Sequence, residues 1–191
     1  MRLVHWAWDG RRWPRRAAAA ALVAGGLGGV LVAWHLPVGL RAYWAARVLA
    51  YAARRAQGRG AVFRPALDGW LRTAAPIWAA GLWPRVGAVV VLVALGLHAF
   101  SLAFGVAVAG AAGGWAGLHA GVLAVLPGNL LALPALWWLG SRAVDRAAAR
   151  NTGRPSRLGP YVQVGAGVLL AVTCSSLGEA ALGPLLLRLG G

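Results

Sequence analysis

From Val86 to Ser141 the chain carries no Asp, Glu, Lys or Arg. A helix crosses the roughly 30 Å hydrocarbon core of a bilayer with about 20 apolar residues, each rising 1.5 Å. This one interval therefore holds two crossings. Ordinary soluble domains carry about 25% charged residues, whereas this chain is 12% charged and 60% hydrophobic. Only helices and closed barrels satisfy all their backbone groups in lipid, and the long charge-free runs have helical length. The expectation is an all-α, polytopic integral membrane protein of a cell membrane, with about five transmembrane helices.

The charge that remains is nearly all of one kind. The 19 basic residues are all arginine, against four acids (Asp9, Asp68, Asp145, Glu179), for a net of +15. Nucleic-acid-binding proteins share such a balance, but here the arginines cluster between apolar runs, where topology signals and contacts to anionic headgroups lie. Membrane lipids, not nucleic acid, are the expected partners. Arginine without lysine, with much Ala and Gly, points to a GC-rich genome. Cys174 stands alone in an apolar stretch, so neither an intrachain disulfide nor a cysteine-based metal site is expected. It reads as a small buried hydrophobe.

Residues 1–16 form a basic segment (Arg2, Arg11, Arg12, Arg15, Arg16) that positive-inside logic places in the cytoplasm. The charge-free run 17–36 is longer than the 7 to 15 residues of a signal-peptide core, and His35-Leu36-Pro37 is no small-residue cleavage site. It is expected to be a retained first transmembrane helix. Residues 37–72 are arginine-rich and exposed, with Arg41, Arg47, Arg54, Arg55, Arg59, Arg64 and Arg72 and a Gly-Arg-Gly break at 58–60. Within them Leu40 to Ala56 has helical composition and spaces Trp44, Val48 and Tyr51 at i, i+4, i+7. Two readings stand: a helix lying on the membrane with snorkelling arginines, or one packed on other protein.

Residues 73–191 form the membrane domain, with about four transmembrane helices. Thr73 to Ala112 is interrupted by Trp83-Pro84-Arg85. A charge at the bilayer centre costs about 2.5 to 3.5 kcal/mol on insertion scales, so a break there, with Trp83 as an interface anchor, is expected. Gly110 to Gly114 reads as a turn. Trp115 to Gly140 is expected to be broken at Leu126-Pro127-Gly128-Asn129, since proline removes a donor and glycine frees the dihedrals. The basic loop from Ser141 to Leu158 (Arg142, Arg146, Arg150, Arg154, Arg157) leads into a last span, Leu158 to Leu187, that contains Glu179. Five spans place the N-terminal arginines, Arg85 and this loop inside, and residues 41–72 outside. Four spans, with one long helix over 73–112, would reverse the side of 41–72 and bury Arg85.

Glu179 is the only acid in an apolar segment, a position that suggests ion or proton handling or a structural hydrogen bond. Asn129 has an amide suited to backbone groups freed by Pro127, although half-helices also build transporter sites. His98 and His119 make a weak ligand pair, lacking a third ligand. Gly25-x-x-x-Gly29, Gly110-x-x-x-Gly114 and Gly117-x-x-x-Gly121 permit close helix approach. The chain shows no phosphate loop, nucleophile elbow, His-Glu-x-x-His or carboxylate pair. No catalytic residue, cofactor site or metal site is therefore expected, and the protein is read as not an enzyme.

The decapeptide Leu126-Pro127-Gly128-Asn129-Leu130-Leu131-Ala132-Leu133-Pro134-Ala135 resembles the Leu-Pro-x-Asn-Leu-Leu-x-x-Pro-Ala signature of the stage II sporulation protein M family. Ile77-Trp78, the Gly-rich stretch from Gly105 to Gly121, and a last helix opening with Pro160-Tyr161 and reaching Glu179-Ala180 extend the resemblance over 70–187. The wider superfamily often places His-Gly and Glu in this signature, where Gly128, Asn129 and Ala132 stand here. The resemblance implies a non-catalytic scaffold of sporulation engulfment in the mother-cell membrane of an endospore former. It would hold sporulation proteins D and P, a lytic transglycosylase and an amidase that remodel peptidoglycan. Pro127, Gly128, Asn129, Pro134, Glu179, Trp44 and Tyr51 are the structural and partner-contact candidates. The alternative reading is a small transporter or channel-like protein with a broken-helix site.

Overall fold

The computed structural model describes residues 12–56 and 59–189; Arg2, Asp9, Arg11 and the Gly58 end of the Gly-Arg-Gly break lie outside them. The described residues are all-helical, without a strand: α1 (Trp13–His35), α2 (Val38–Ala56), α3 (Arg59–Ala80), α4 (Gly87–Asn151) and α5 (Leu158–Leu189). Three helices are long and apolar enough to cross a membrane, α1, α4 and, over Leu158–Leu182, α5.

α4 is two helices in one. At 65 residues it would extend about 100 Å if straight, but the backbone leaves helical dihedrals at Gly114 (φ 57°, ψ −141°). The positive φ is one that glycine adopts without steric cost. The result is an antiparallel hairpin of two arms, 87–113 and 115–151: Gly87 packs on Ala147, Gly140 on Val91 and Leu95, and Gly121 on Val106 and Ala109. The turn expected over 110–114 is thus made at its last residue. The expected break at Pro127-Gly128 is a different matter, since the second arm stays helical through Pro127 and Pro134. A proline inside a helix removes one i→i−4 bond, and the helical dihedrals nonetheless continue across that gap.

The remaining helices wrap this hairpin. α1 runs parallel to the first arm: Gly25 meets Gly96, and Gly29 meets Phe100 and Phe104. A Cβ at either glycine would land on first-arm backbone, so this Gly-x-x-x-Gly pair is a true crossing point. α3 runs antiparallel to the same arm, from Trp70 beside His98 to Ala80 against Gly87. Its buried stripe is Val62, Ala66, Trp70, Ala74 and Ile77, spaced at helical period. Arg64, Asp68 and Arg72 fall on the opposite, exposed face, where Arg72 and Asp68 pair at 2.7 Å. Because α3 is continuous from 59 to 80, residue 72 divides no structural units. α5 runs antiparallel to the second arm, with Gly167 near Trp138 and Glu179 over Gly128.

The start of α1, the turn after α3 and the α4–α5 connection gather at one end. There the Trp137 Nε1–H donates to the Arg15 carbonyl at 3.1 Å. Arg150 donates to the Leu82 carbonyl at 2.9 Å, and the Tyr161 hydroxyl to the Trp78 carbonyl at 2.5 Å. The same end carries Arg12, Arg16, Arg85, Arg142, Arg146, Arg154 and Arg157. The other end holds Gly114 and the α1–α2 corner, where the Arg41 guanidinium donates to the Trp34 and Leu36 carbonyls at 2.8 and 3.0 Å and caps α1, whose last carbonyls lack helical donors.

Candidate functional site

α2 covers one side of the hairpin near that second end. Ala45 is buried with Ala33 and Val108, Val48 approaches Gly105, and Trp44 stands edge-on to Tyr43 and Phe104, with centroids at 5.5 and 5.9 Å. The Trp44, Val48 and Tyr51 stripe thus packs in part on this chain's own helices, while Trp44 and Tyr51 stay 40% and 41% exposed. Tyr51, one turn beyond Val48, closes a cavity of about 230 Å³ between α2, α3, both arms of α4 and α5, lined among others by Trp70, Thr73, His98, Asn129 and Glu179.

Glu179 is only 3% exposed. It reaches its place because α5 packs directly on the second arm at Gly128, where a Cβ would strike the Glu179 carboxyl group. Ser175, one turn earlier and also buried, donates a hydrogen bond to the Gly128 carbonyl. Ser176 instead bonds its own helix at the Val172 carbonyl, 2.9 Å away. The Gly128, Ser175 and Glu179 contact is the seam that holds the second arm to α5. This burial shields Glu179 from bulk water.

Asn129 donates through Nδ2 to the Val125 carbonyl at 2.6 Å. The carbonyl that Pro127 leaves without its helical donor is that of Leu123, so Asn129 strengthens the turn beside the gap and does not fill it. Asn129 shares the cavity closed by Tyr51 with His98, whose ring lies 5.0 Å from that of Trp70. Two polar side chains thus share one cavity with a buried carboxyl group. On its other side Asn129 borders an apolar groove of about 1090 Å³ between α1 and the two arms, walled by Trp34, Phe-flanking Ala103 and Trp115.

Of the residues singled out from sequence, Gly128, Asn129, Glu179 and Tyr51 come together, and Pro127 is buried beside them. Trp44 packs elsewhere, and Pro134 lies exposed on the outer face of the second arm. His98 belongs to the cavity, but His119 is exposed near the hairpin tip, so the two histidines do not pair. Among the described residues no cluster of three or more His, Cys, Asp or Glu could hold a metal. Cys174 corrects another expectation: it is exposed, because α5 buries Val172, Ser175, Ser176 and Glu179 and position 174 falls on the opposite side. Sequence reading missed Trp70, Thr73 and Ser175. Ser175 carried a signal, a polar residue one helical turn before the acid of the last apolar segment.

No family model, curated protein or solved structure matches this chain.

Proposed function

We propose that this chain is a non-catalytic, multi-pass membrane scaffold of the engulfment type, anchoring peptidoglycan hydrolases related to sporulation proteins D and P at the mother-cell membrane. Its crossings are α1, α3, the two arms of α4 and α5, with the arginine-rich end in the cytoplasm as the positive-inside rule requires. The observation that carries the reading is where the decapeptide lies. Residues 126–135 pack against the helix that bears the other end of the resemblance, and Gly128 sits under Glu179 with Ser175 bonded to its carbonyl. A signature used for helix packing, with no reacting group in it, is what a scaffold requires. α2 then lies at the outer end, where a partner acting beyond the membrane would meet it.

The test is purification of the tagged full chain in mild detergent from sporulating cells of its host. Hydrolases of the D and P types are expected to co-purify, and recovery of the chain without either would overturn the scaffold. Topology is tested by cysteine labelling on a Cys174→Ala background, at Ala53, Val86 and Thr152, all exposed. Position 53 is expected to label from outside, and 86 and 152 only after permeabilisation. A second reading, a channel or transporter subunit, is favoured by the cavity that holds Glu179, His98 and Asn129. It requires a flux in proteoliposomes that Glu179→Gln abolishes.

A further inference from the structure

We propose that the cavity between the second arm of α4, the turn after it and the start of α5 is a binding site for the phosphate headgroup of an anionic phospholipid. The cavity has a volume of about 480 Å³ and is lined by Arg142, Asp145, Arg146, Ser156, Arg157 and, on its apolar side, Trp138 among others. Three guanidinium groups thus face one carboxylate, Asp145, which is exposed.

Arg146 makes this more than a basic patch. It is only 9% exposed, and a guanidinium has five donors and no acceptor. One Nη donates to the Arg157 carbonyl at 2.9 Å, and the group lies over the Tyr161 ring at 5.1 Å. Its Nε–H is buried without an acceptor, and among the described residues no carboxylate pairs with it. A buried cation held by a carbonyl and a ring face retains its charge and its unused donor, and an anion supplies what both lack. Arginine suits phosphate in particular, because its planar fork matches two phosphate oxygens at once.

The surroundings select a lipid over a free anion. The cavity lies at the arginine-rich end, the end that positive-inside logic sets beside anionic headgroups, and basic pockets between helices at that level bind such headgroups. Trp138 marks the passage from polar to apolar, as interfacial indoles do. Beyond it the open seam between the second arm and α5 is apolar. Leu131, a heptad before Trp138 on the same face, is exposed, and Gly167 approaches the Trp138 ring. A phosphate among the arginines leaves its acyl chains along this seam, which offers inorganic phosphate nothing.

The full chain in a non-ionic detergent is titrated with phosphatidylglycerol, phosphatidylcholine or inorganic phosphate, and retained lipid is counted by native mass spectrometry. Phosphatidylglycerol is expected to be retained about tenfold over phosphatidylcholine, and the Arg142→Gln, Arg157→Gln double variant to lose about that factor. Both side chains are exposed, so folding does not depend on them, whereas Arg146→Gln removes a link to the turn and serves as a second variant read by the same assay. Arg85→Gln, at the same end outside the cavity, is expected to retain lipid as the parent does. Equal retention of the two lipids, or equal loss on Arg85→Gln, would overturn the site in favour of diffuse surface charge. Displacement of the lipid by millimolar inorganic phosphate would overturn its assignment to a lipid.

Discussion

Glycines 25 and 26 are adjacent in α1, yet the structure assigns them opposite responses to the same change. A methyl at Gly26 meets nothing within 4 Å, whereas at Gly25 it falls on the Gly96 carbonyl of the first arm. Replacing glycine by alanine inside a helix gains about 0.8 to 1 kcal/mol of propensity, and neighbouring positions share that gain. The difference between Gly25→Ala and Gly26→Ala therefore isolates the clash. Overpacking a close contact costs about 1 to 3 kcal/mol, and the obstacle here is backbone, which cannot rotate aside, so the upper half of that range is expected. At about 2 to 4 °C per kcal/mol for a chain of this size, the two melting temperatures should separate by about 4 to 12 °C. The assay is thermal unfolding of each variant in the same detergent, with Gly28→Ala, whose methyl would sit 3.7 Å from the Phe100 ring, as a second permissive control. Equal stability of Gly25→Ala and Gly26→Ala would refute the crossing of α1 and α4 at Gly25 and Gly96.

Three further expectations follow from the central seam and the caps. Ser175→Ala should destabilise by about 0.5 to 1.5 kcal/mol, since it strips a donor from the buried Gly128 carbonyl, while Ser176→Ala, whose bond lies within α5, should cost a few tenths; chemical unfolding in mixed micelles separates them. Gly128→Ala should cost about 1 to 3 kcal/mol but much less on a Glu179→Ala background, a coupling of at least about 0.5 kcal/mol in a double-mutant cycle; simple additivity would place the Glu179 carboxyl elsewhere. Arg41→Met should speed amide exchange around the α1–α2 corner by removing the donor to two helix-end carbonyls, read by hydrogen–deuterium exchange, and leave the hairpin amides unchanged.

What the sequence makes legible follows from which forces act along the chain and which act across it. Charge-free runs announce α1, the two arms of α4 and α5 because insertion depends on composition summed over a span. Trp83-Pro84-Arg85 announces a turn because proline and a charge oppose helix and lipid at the same place. The Pro127-Gly128 pair gives the same local signal and forms no break: Gly128 is needed for the approach of Glu179, and Ser175 reaches its carbonyl from 47 residues away. No local rule holds that information. Conversely Gly114 bends the chain although it is one of several glycines in its stretch, and only the pairing of Val106 with Gly121 identifies it. α3 is legible only in its apolar half, from Thr73 on, because the half before it carries arginines. The stripe from Val62 to Ile77 unites them only once the period is followed across Arg64, Asp68 and Arg72.

That division has a consequence for how the chain sits in lipid. In the proposed topology, an exposed Asp68 and Arg72 on a helix packed against the α4 hairpin would face hydrocarbon if α3 stood alone at the bundle surface, and each would be costly there. Their mutual pairing at 2.7 Å lowers that cost without removing it, since a surface ion pair offsets only part of the desolvation of two charges. The outer face of α3 therefore calls for something more polar than acyl chains beside it, such as water admitted by a thinned bilayer or the flank of a partner helix. Asp68→Leu with Arg72→Leu separates these. If lipid alone surrounds the face, the double variant should be more stable in bilayers and keep every partner. If a polar partner covers the face, the variant should gain stability alone and lose the partner on purification.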